Sequence, residues 1–478
     1  MISRSWARFI VLCATLLMTG LATAPASAAV GYEVIGGNLP SDGQLWQVAT
    51  PQPLQNWNGT LILDLDGATA ISGGFNSGLF MWLVGHGYAY GGTNRDKVTY
   101  RYDVSADHLV EVRQNFISHY SLTPSRTIAY GVSRGSNVAR HAVELYPKIF
   151  DGGASGMGAG AGLLSTMNLR LDSQFVLKTL VNPASPLKII LIPNTSSGIA
   201  TETAALQDLV TMADSTALGR ARLALAAAVS QTPPWLIPDM PRPAPDDYDA
   251  QYAQLLQGYV TVQTISVQAG AQEVAGSGNL LWNNGVDYSV ELTRSGRDDF
   301  VRAMYNDKKA GVTLENLEAD LRTLKHASRI SADPASVDSA EKYLCYTGKI
   351  PGPFVSDNNI GDTNYPPPKE VAYDQTLAKA GNLHLHHKLW IESAGHGNES
   401  NLELLVGILT LIDRLDTGKW HYTSAKAQNA LANKILSETD ILLGAPPLGG
   451  YQPPSFIEFK PDQPLRTWDV SNFGTYRP

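Results

Sequence analysis

Thr127-Ile-Ala-Tyr-Gly131-Val132-Ser133-Arg134-Gly135-Ser136 is the stretch on which the reading of this chain turns. Thr127 to Tyr130 is a short apolar, β-branched and aromatic run that predicts a strand, and Asn137 to Tyr146 carries helical spacing. Two glycines with a serine midway between them permit a tight strand-to-helix turn. Such a turn lifts the serine hydroxyl above the end of a sheet and sets it at a helix N-terminus. By itself Gly-x-Ser-x-Gly is weak in a chain with 43 glycines, because an ordinary turn reads the same. The strand before it and the helix after it make Ser133 a candidate nucleophile.

Outward from this turn, the same alternation repeats. Tyr32 to Thr50, broken by Gly36-Gly37 and Pro40-Ser41-Asp42-Gly43, reads as a β-hairpin. Thr60–Asp64, Gly87–Gly91 and Ile149–Gly152 are strand-like, and His108–Tyr120 is helical in spacing. Strand and helix in alternation predict an α/β fold, a mostly parallel sheet with helices on both faces. Residues 29–165 form the first part of this core. From 166 to 345 the alternation stops, giving way to helical patterns at Leu218–Ser230, Ala244–Tyr259 and Leu314–His326 with proline-rich turns at Pro233-Pro234 and Pro241–Pro245. This is read as an inserted helical lid. The core resumes over 346–443 with strands at Gly352–Ser356 and Lys388–Glu392 around a helix at Glu370–Ala380. The proline- and glycine-rich residues 444–478 predict an extended arm on the surface.

A serine hydroxyl is a poor nucleophile until a base takes its proton, and the base needs an acid to orient it. His396, in Ser393-Ala-Gly-His396-Gly, directly follows the last strand; the other nine histidines lack such a setting. His384, His386 and His387 cluster without a carboxylate at ligand spacing, so they read as a strand flank and no metal site is assigned. For the acid, Gly361-Asp362-Thr363 lies after the strand Gly352–Ser356 and 34 positions before His396, room for one helix and one strand. Asp357 is the rival, nearer the strand, but Asn358-Asn359 beside it reads as a plain turn. Acyl transfer also needs two backbone donors for the developing oxyanion. The amide of Arg134 supplies one; for the other, Asp66-Gly67-Ala68 after the strand ending at Asp64 resembles the place where α/β-hydrolases carry His-Gly-X, which makes the Ala68 amide the candidate. Gly67 also reads as a plain turn, and with Asp64 as a calcium-loop fragment that lacks its remaining ligands. Gly156-Met-Gly-Ala-Gly-Ala-Gly162 fails as a dinucleotide fingerprint because no acidic residue completes a βαβ unit. No cofactor is called for.

Arg4 and Arg8, the apolar run Phe9–Leu17 and Ala26-Ser27-Ala28 read as a secretory signal peptide over residues 1–28, cleaved near Ala28. No later run has the roughly 18 or more apolar residues of a membrane span. Without Arg4 and Arg8 the 36 basic residues become 34 against 44 acidic, a formal charge of −10, with no basic run. Nucleic acid and anionic membrane surfaces are therefore unexpected partners. Cys13 leaves with the leader, so Cys345 has no internal disulfide partner.

With the serine turn, Gly-Asp and Gly-His in that chain order, the sequence resembles the α/β-hydrolase superfamily across the mature chain outside the insert and tail. Leu83–Asn94, Gly219–Ala226 with Pro233-Pro-Trp235, and Trp282–Tyr288 are similar to segments of secreted bacterial esterases. Two departures stand out: Asp66 occupies the place of the usual histidine before the oxyanion glycine, and the fourth position of the turn is the large Arg134. The resemblance implies a secreted, extracellular or periplasmic serine hydrolase with Ser133, Asp362 and His396 as triad, acting on a small-molecule or oligomeric carboxylic ester. A peptidase or amidase with the same triad is the alternative, and a catalytically silent binding protein is the reading from another class. Trp282 and Tyr288 flank the turn signal Asn283-Asn284-Gly285; they read either as insert core or as substrate-binding aromatics over Ser133.

Overall fold

The computed structural model describes residues 31–97, 100–438 and 454–466. The leader read at 1–28 and most of the arm after Gly444 lie outside them. Eight strands form one sheet: β1 (Tyr32–Asn38), β2 (Leu45–Pro51), β3 (Thr60–Asp64), β4 (Ala89–Thr93), β5 (Arg126–Val132), β6 (Gly152–Gly156), β7 (Phe354–Gly361) and β8 (His386–Ala394). Their spatial order is β1-β2-β4-β3-β5-β6-β7-β8. The hairpin β1–β2 is antiparallel and so is the β2–β4 pair, whereas β4, β3 and β5 through β8 run parallel.

Helices α1 (Gly67–Ile71), α2 (Ser77–Gly85), α3 (Tyr102–Tyr120) and α4 (Arg134–Leu145) fall between the early strands. After β6 the chain leaves the sheet for α5 (Leu163–Val181), α6 (Ser196–Asp214), α7 (Ala217–Ala228), α8 (Tyr248–Val262), α9 (Ile265–Val274), α10 (Tyr288–Arg294), α11 (Asp298–Met304), α12 (Leu314–His326) and α13 (Pro334–Leu344). It returns as β7, followed by α14 (Pro368–Lys379), β8, α15 (Asn401–Thr417) and α16 (Ala425–Glu438).

The two-residue period of a strand divides the core. Leu61 and Leu63 of β3 face a cluster that includes α3, α4, α14 and the helical insert. Ile62 faces a second cluster built on α2, α15 and α16. Among the described residues no helix is long and apolar enough to cross a membrane.

Three local readings differ from the structure. The strand expected at Ile149–Gly152 is β6, Gly152–Gly156, whose sequence Gly-Gly-Ala-Ser-Gly carries no hydropathy signal. Small residues stand there because neighbours crowd in: a Cβ on Gly153 would lie 2.5 Å from the Phe354 ring. Asn358 and Asn359 are not a turn but part of β7, in register with Trp390 and Ile391 of β8. The arm is not wholly superficial. Phe456 bridges to Ile391 at the sheet, and ten residues later Arg466 is buried within the insert, its Nη1 2.6 Å from Asp172 and its Nη2 donating to the Trp282 carbonyl at 2.8 Å.

Candidate active site

Ser133 sits between β5 and α4 with φ 58° and ψ −115°, a conformation sterically unfavourable for a residue with a Cβ. It is held there by its surroundings. The Ser133 N–H donates to the Gly156 carbonyl at 2.9 Å, and a Cβ on Gly131 would fall 2.3 Å from the Gly135 carbonyl, so that closure needs glycine. At Gly135 itself the nearest atom to an added Cβ is Leu65 Cβ at 3.5 Å, an ordinary contact.

His396 follows β8 between Gly395 and Gly397, both at positive φ. The Gly395 carbonyl accepts from Asn359 Nδ2 at 3.2 Å, and four residues on, Ser400 and Glu403 form the capping box that starts α15. Thus pinned, the imidazole Nε2 is 2.7 Å from Ser133 Oγ, and Nδ1 is 3.0 and 3.1 Å from Asp362 Oδ1 and Oδ2. The Tyr365 ring packs edge-on against His396, centroids 5.4 Å apart. Asp362 is fully buried, and its Oδ1 accepts the backbone N–H groups of Asn364 at 2.7 Å and Tyr365 at 2.9 Å.

The rival Asp357 points elsewhere. Added Cβ atoms on Gly156 would meet both its Oδ1 and Glu399 Oε2, at 2.8 and 2.7 Å, and one on Gly407 of α15 would meet its Oδ2. The two carboxyls converge beneath β6, and burial above all raises both well above the carboxylate range, aided at Asp357 by Glu403 and Glu370 and at Glu399 by Asp357.

Ala68 and Arg134 lie in the first turns of α1 and α4, where backbone N–H groups have no intrahelical acceptor. Asp66 is gripped by Arg95 through two 2.6 Å bonds. Behind it Asp64 accepts from Tyr90 at 2.6 Å; burial first, and then Asp66, push its carboxyl up to about 7. The Arg134 guanidinium lies 4.2 Å over the Tyr100 ring.

Trp282 and Tyr288 do not reach this place. Both are buried in the insert: Tyr288 donates to Asp172 at 3.0 Å and stacks on Phe175, and neither lines the cavity beside His396. That cavity, of about 360 Å³, is lined by Leu236, Ile237, Pro238, Gly258, Thr261, Thr363, Asn364, Gly395 and His396. Sequence reading missed these insert residues, and it missed Arg170. Fully buried on α5, Arg170 donates from Nη2 to the carbonyls of Thr363 at 2.9 Å and Asn364 at 2.7 Å, the peptides that follow Asp362. In the sequence it stands among polar neighbours, Asn168 and Asp172, with no local signal of this role. Among the described residues no cluster of histidine, cysteine and carboxylates could hold a metal ion.

A sheet in this order, with a strained serine after its fifth strand and a histidine after its last, is the α/β-hydrolase fold. An o-phthalyl amidase from Xanthobacter agilis is 29% identical over 452 residues, covering 88% of this chain and 95% of that one. Solved structures with a similar course include a tannin acyl hydrolase from Aspergillus niger, 12% identical, covering 93% of this chain and 87% of that one with a TM-score of 0.37. Candida Antarctica lipase A is 10% identical with 87% of each chain covered and a TM-score of 0.37. No family model matches the chain.

Proposed function

We propose that this chain is a secreted serine hydrolase that cleaves a carboxylic acyl bond through Ser133, His396 and Asp362. The observation that carries the reading is the unbroken relay from Ser133 Oγ through both imidazole nitrogens to a buried carboxylate. His396 Nε2 takes the hydroxyl proton as Oγ attacks the carbonyl carbon, while Asp362 holds the Nδ1–H tautomer and stabilises the imidazolium. The amides of Ala68 and Arg134 receive the oxyanion. The imidazolium then protonates the departing group, and water repeats the sequence on the acyl-enzyme. The leader-like residues 1–28 support export from the cytoplasm.

The bond is a carboxylic ester in the reading that rests on sequence. The amide reading is favoured by a specific finding, the amidase relative that aligns along nearly its whole length. A p-nitrophenyl ester and an anilide of phthalic acid, assayed in parallel on wild type and Ser133→Ala, separate the two. Hydrolysis of either, lost in Ser133→Ala, supports the serine mechanism, and the ratio of kcat/KM values assigns the bond. A folded wild type inert towards both series of substrates would favour the silent scaffold.

A further inference from the structure

We propose that the cavity between the insert and His396 is the subsite for the leaving group, and that it takes a compact, uncharged amine or alcohol. The inference rests on the serine mechanism above and adds to it which half of the substrate lies where.

Topology supplies the first step. In the sheet β3 lies on one side of β5, and β6, β7 and β8 lie on the other. The oxyanion amides therefore flank Ser133 from the β3 and α4 side, whereas Asp362 and His396 flank it from the β7–β8 side. The cavity belongs to the second side: its lining includes Thr363, Asn364, Gly395 and His396 and none of Ser133, Arg134 or Ala68. Chemistry supplies the second step. In acylation the Oγ–C bond forms, the Oγ proton moves to His396 Nε2, the bond from carbon to the leaving nitrogen or oxygen breaks, and the Nε2 proton goes to that atom. The group that departs must lie against His396, while the acyl half stays bonded to Ser133.

The walls define what fits. About 360 Å³ is near the lower end of the roughly 300–1,000 Å³ typical of small-molecule sites, which suits one ring or a short chain and not an oligomer. Leu236, Ile237 and Pro238 offer apolar surface, Thr261 and Asn364 offer hydrogen bonds, and no Lys, Arg, Asp or Glu is in the lining. A leaving group with a free carboxylate, as in a peptide, would find no counter-charge there. The wall is also fixed in place. Gln254 Oε1 accepts the N–H groups of Leu236 at 3.1 Å and Ile237 at 2.9 Å, and Trp235 Nε1 donates to the carbonyls of Ile237 and Met240. Gly258 admits this close approach, since a Cβ there would stand 2.9 Å from Leu236 Cδ1.

The test compares two substrate series, one with a fixed acyl group and varied leaving groups, the other the reverse. Thr261 is exposed on α8, so Thr261→Phe fills the cavity from its rim without loss of core packing. It should lower acylation by aryl amides or esters roughly 10- to 200-fold relative to those with methyl-sized leaving groups. Deacylation of the common acyl-enzyme should be unchanged, since the leaving group has already gone. Ile237→Ala, which widens the cavity, should shift preference towards bulkier leaving groups. Altered deacylation or altered acyl-chain preference, with leaving-group preference intact, would overturn the assignment and make this the acyl pocket. If wild type formed no acyl-enzyme at all, the serine mechanism itself would fall, and this proposal with it.

Discussion

Replacing Asp362 with asparagine should reduce kcat on the order of 10⁴-fold, and the reason lies in which atom the backbone selects. Asp362 Oδ1 accepts two backbone N–H groups, from Asn364 at 2.7 Å and Tyr365 at 2.9 Å. An asparagine must keep its oxygen there, because an amide N–H facing those donors would leave three donors without an acceptor in a fully buried place. Its NH₂ then takes the site of Oδ2, 3.1 Å from His396 Nδ1. Nδ1 then faces the NH₂ hydrogens as well as the retained oxygen at 3.0 Å, which favours the tautomer protonated on Nε2; that nitrogen, 2.7 Å from Ser133 Oγ, can then no longer take the serine proton. Four orders of magnitude correspond to about 5 kcal/mol of transition-state stabilisation. Asp357→Asn should change kcat less than about tenfold, since that carboxyl faces Glu399 and α15. Steady-state kinetics on one activated ester, with melting curves to check folding, measure both. Near-normal turnover in Asp362→Asn together with a collapse in Asp357→Asn would refute the reasoning and move the acid to Asp357.

Arg170→Met removes the Nη2 that donates to both the Thr363 and Asn364 carbonyls, so kcat should fall on the order of 10²-fold with KM little changed; an equal effect on KM would point to a merely structural role. Asp64 releases its proton near pH 4 in the unfolded chain and at about 7 in the folded one. The contribution of this group to stability is therefore greatest at low pH and falls as pH rises through that window, by roughly 3–5 kcal/mol. Asp64→Asn mimics the protonated form and should make the pH dependence of Tm shallower between 4 and 7 and raise Tm at pH 8; a lower Tm at pH 8 would contradict this. Trp282→Ala should cost about 3–5 kcal/mol of stability through the cavity it leaves, with substrate preference unchanged; altered preference at unchanged Tm would return Trp282 to the binding site.

The elbow around Ser133 was legible because its requirement is local: a strand, a glycine forced by backbone contact and a helix start within ten residues. Gly395-His396-Gly397 was legible for the same reason. Asp362 was harder to choose because strand β7 continues through Asn358 and Asn359, polar residues that read as a turn and are strand only because β8 pairs with them. Strand β6 was displaced in the reading because its glycines answer to the bulk of neighbours and not to hydropathy. What lay beyond reach is non-local. Arg170 meets a loop 193 residues away, and Arg466 meets Asp172 across 294. Trp282 and Tyr288 read in sequence either as core or as pocket; in the structure both are buried in the insert, the Trp282 backbone held by Asn168 and Arg466 and the Tyr288 hydroxyl by Asp172.

The central claim, that Ser133 Oγ is the nucleophile, is tested most directly by trapping it. Wild type and Ser133→Ala are incubated with a fluorophosphonate, and the modified residue is located by peptide mass spectrometry. The account predicts one adduct per chain, on the peptide containing Ser133, formed in step with loss of activity and absent from the variant. Labelling at another residue, or hydrolysis that survives in Ser133→Ala, would contradict it.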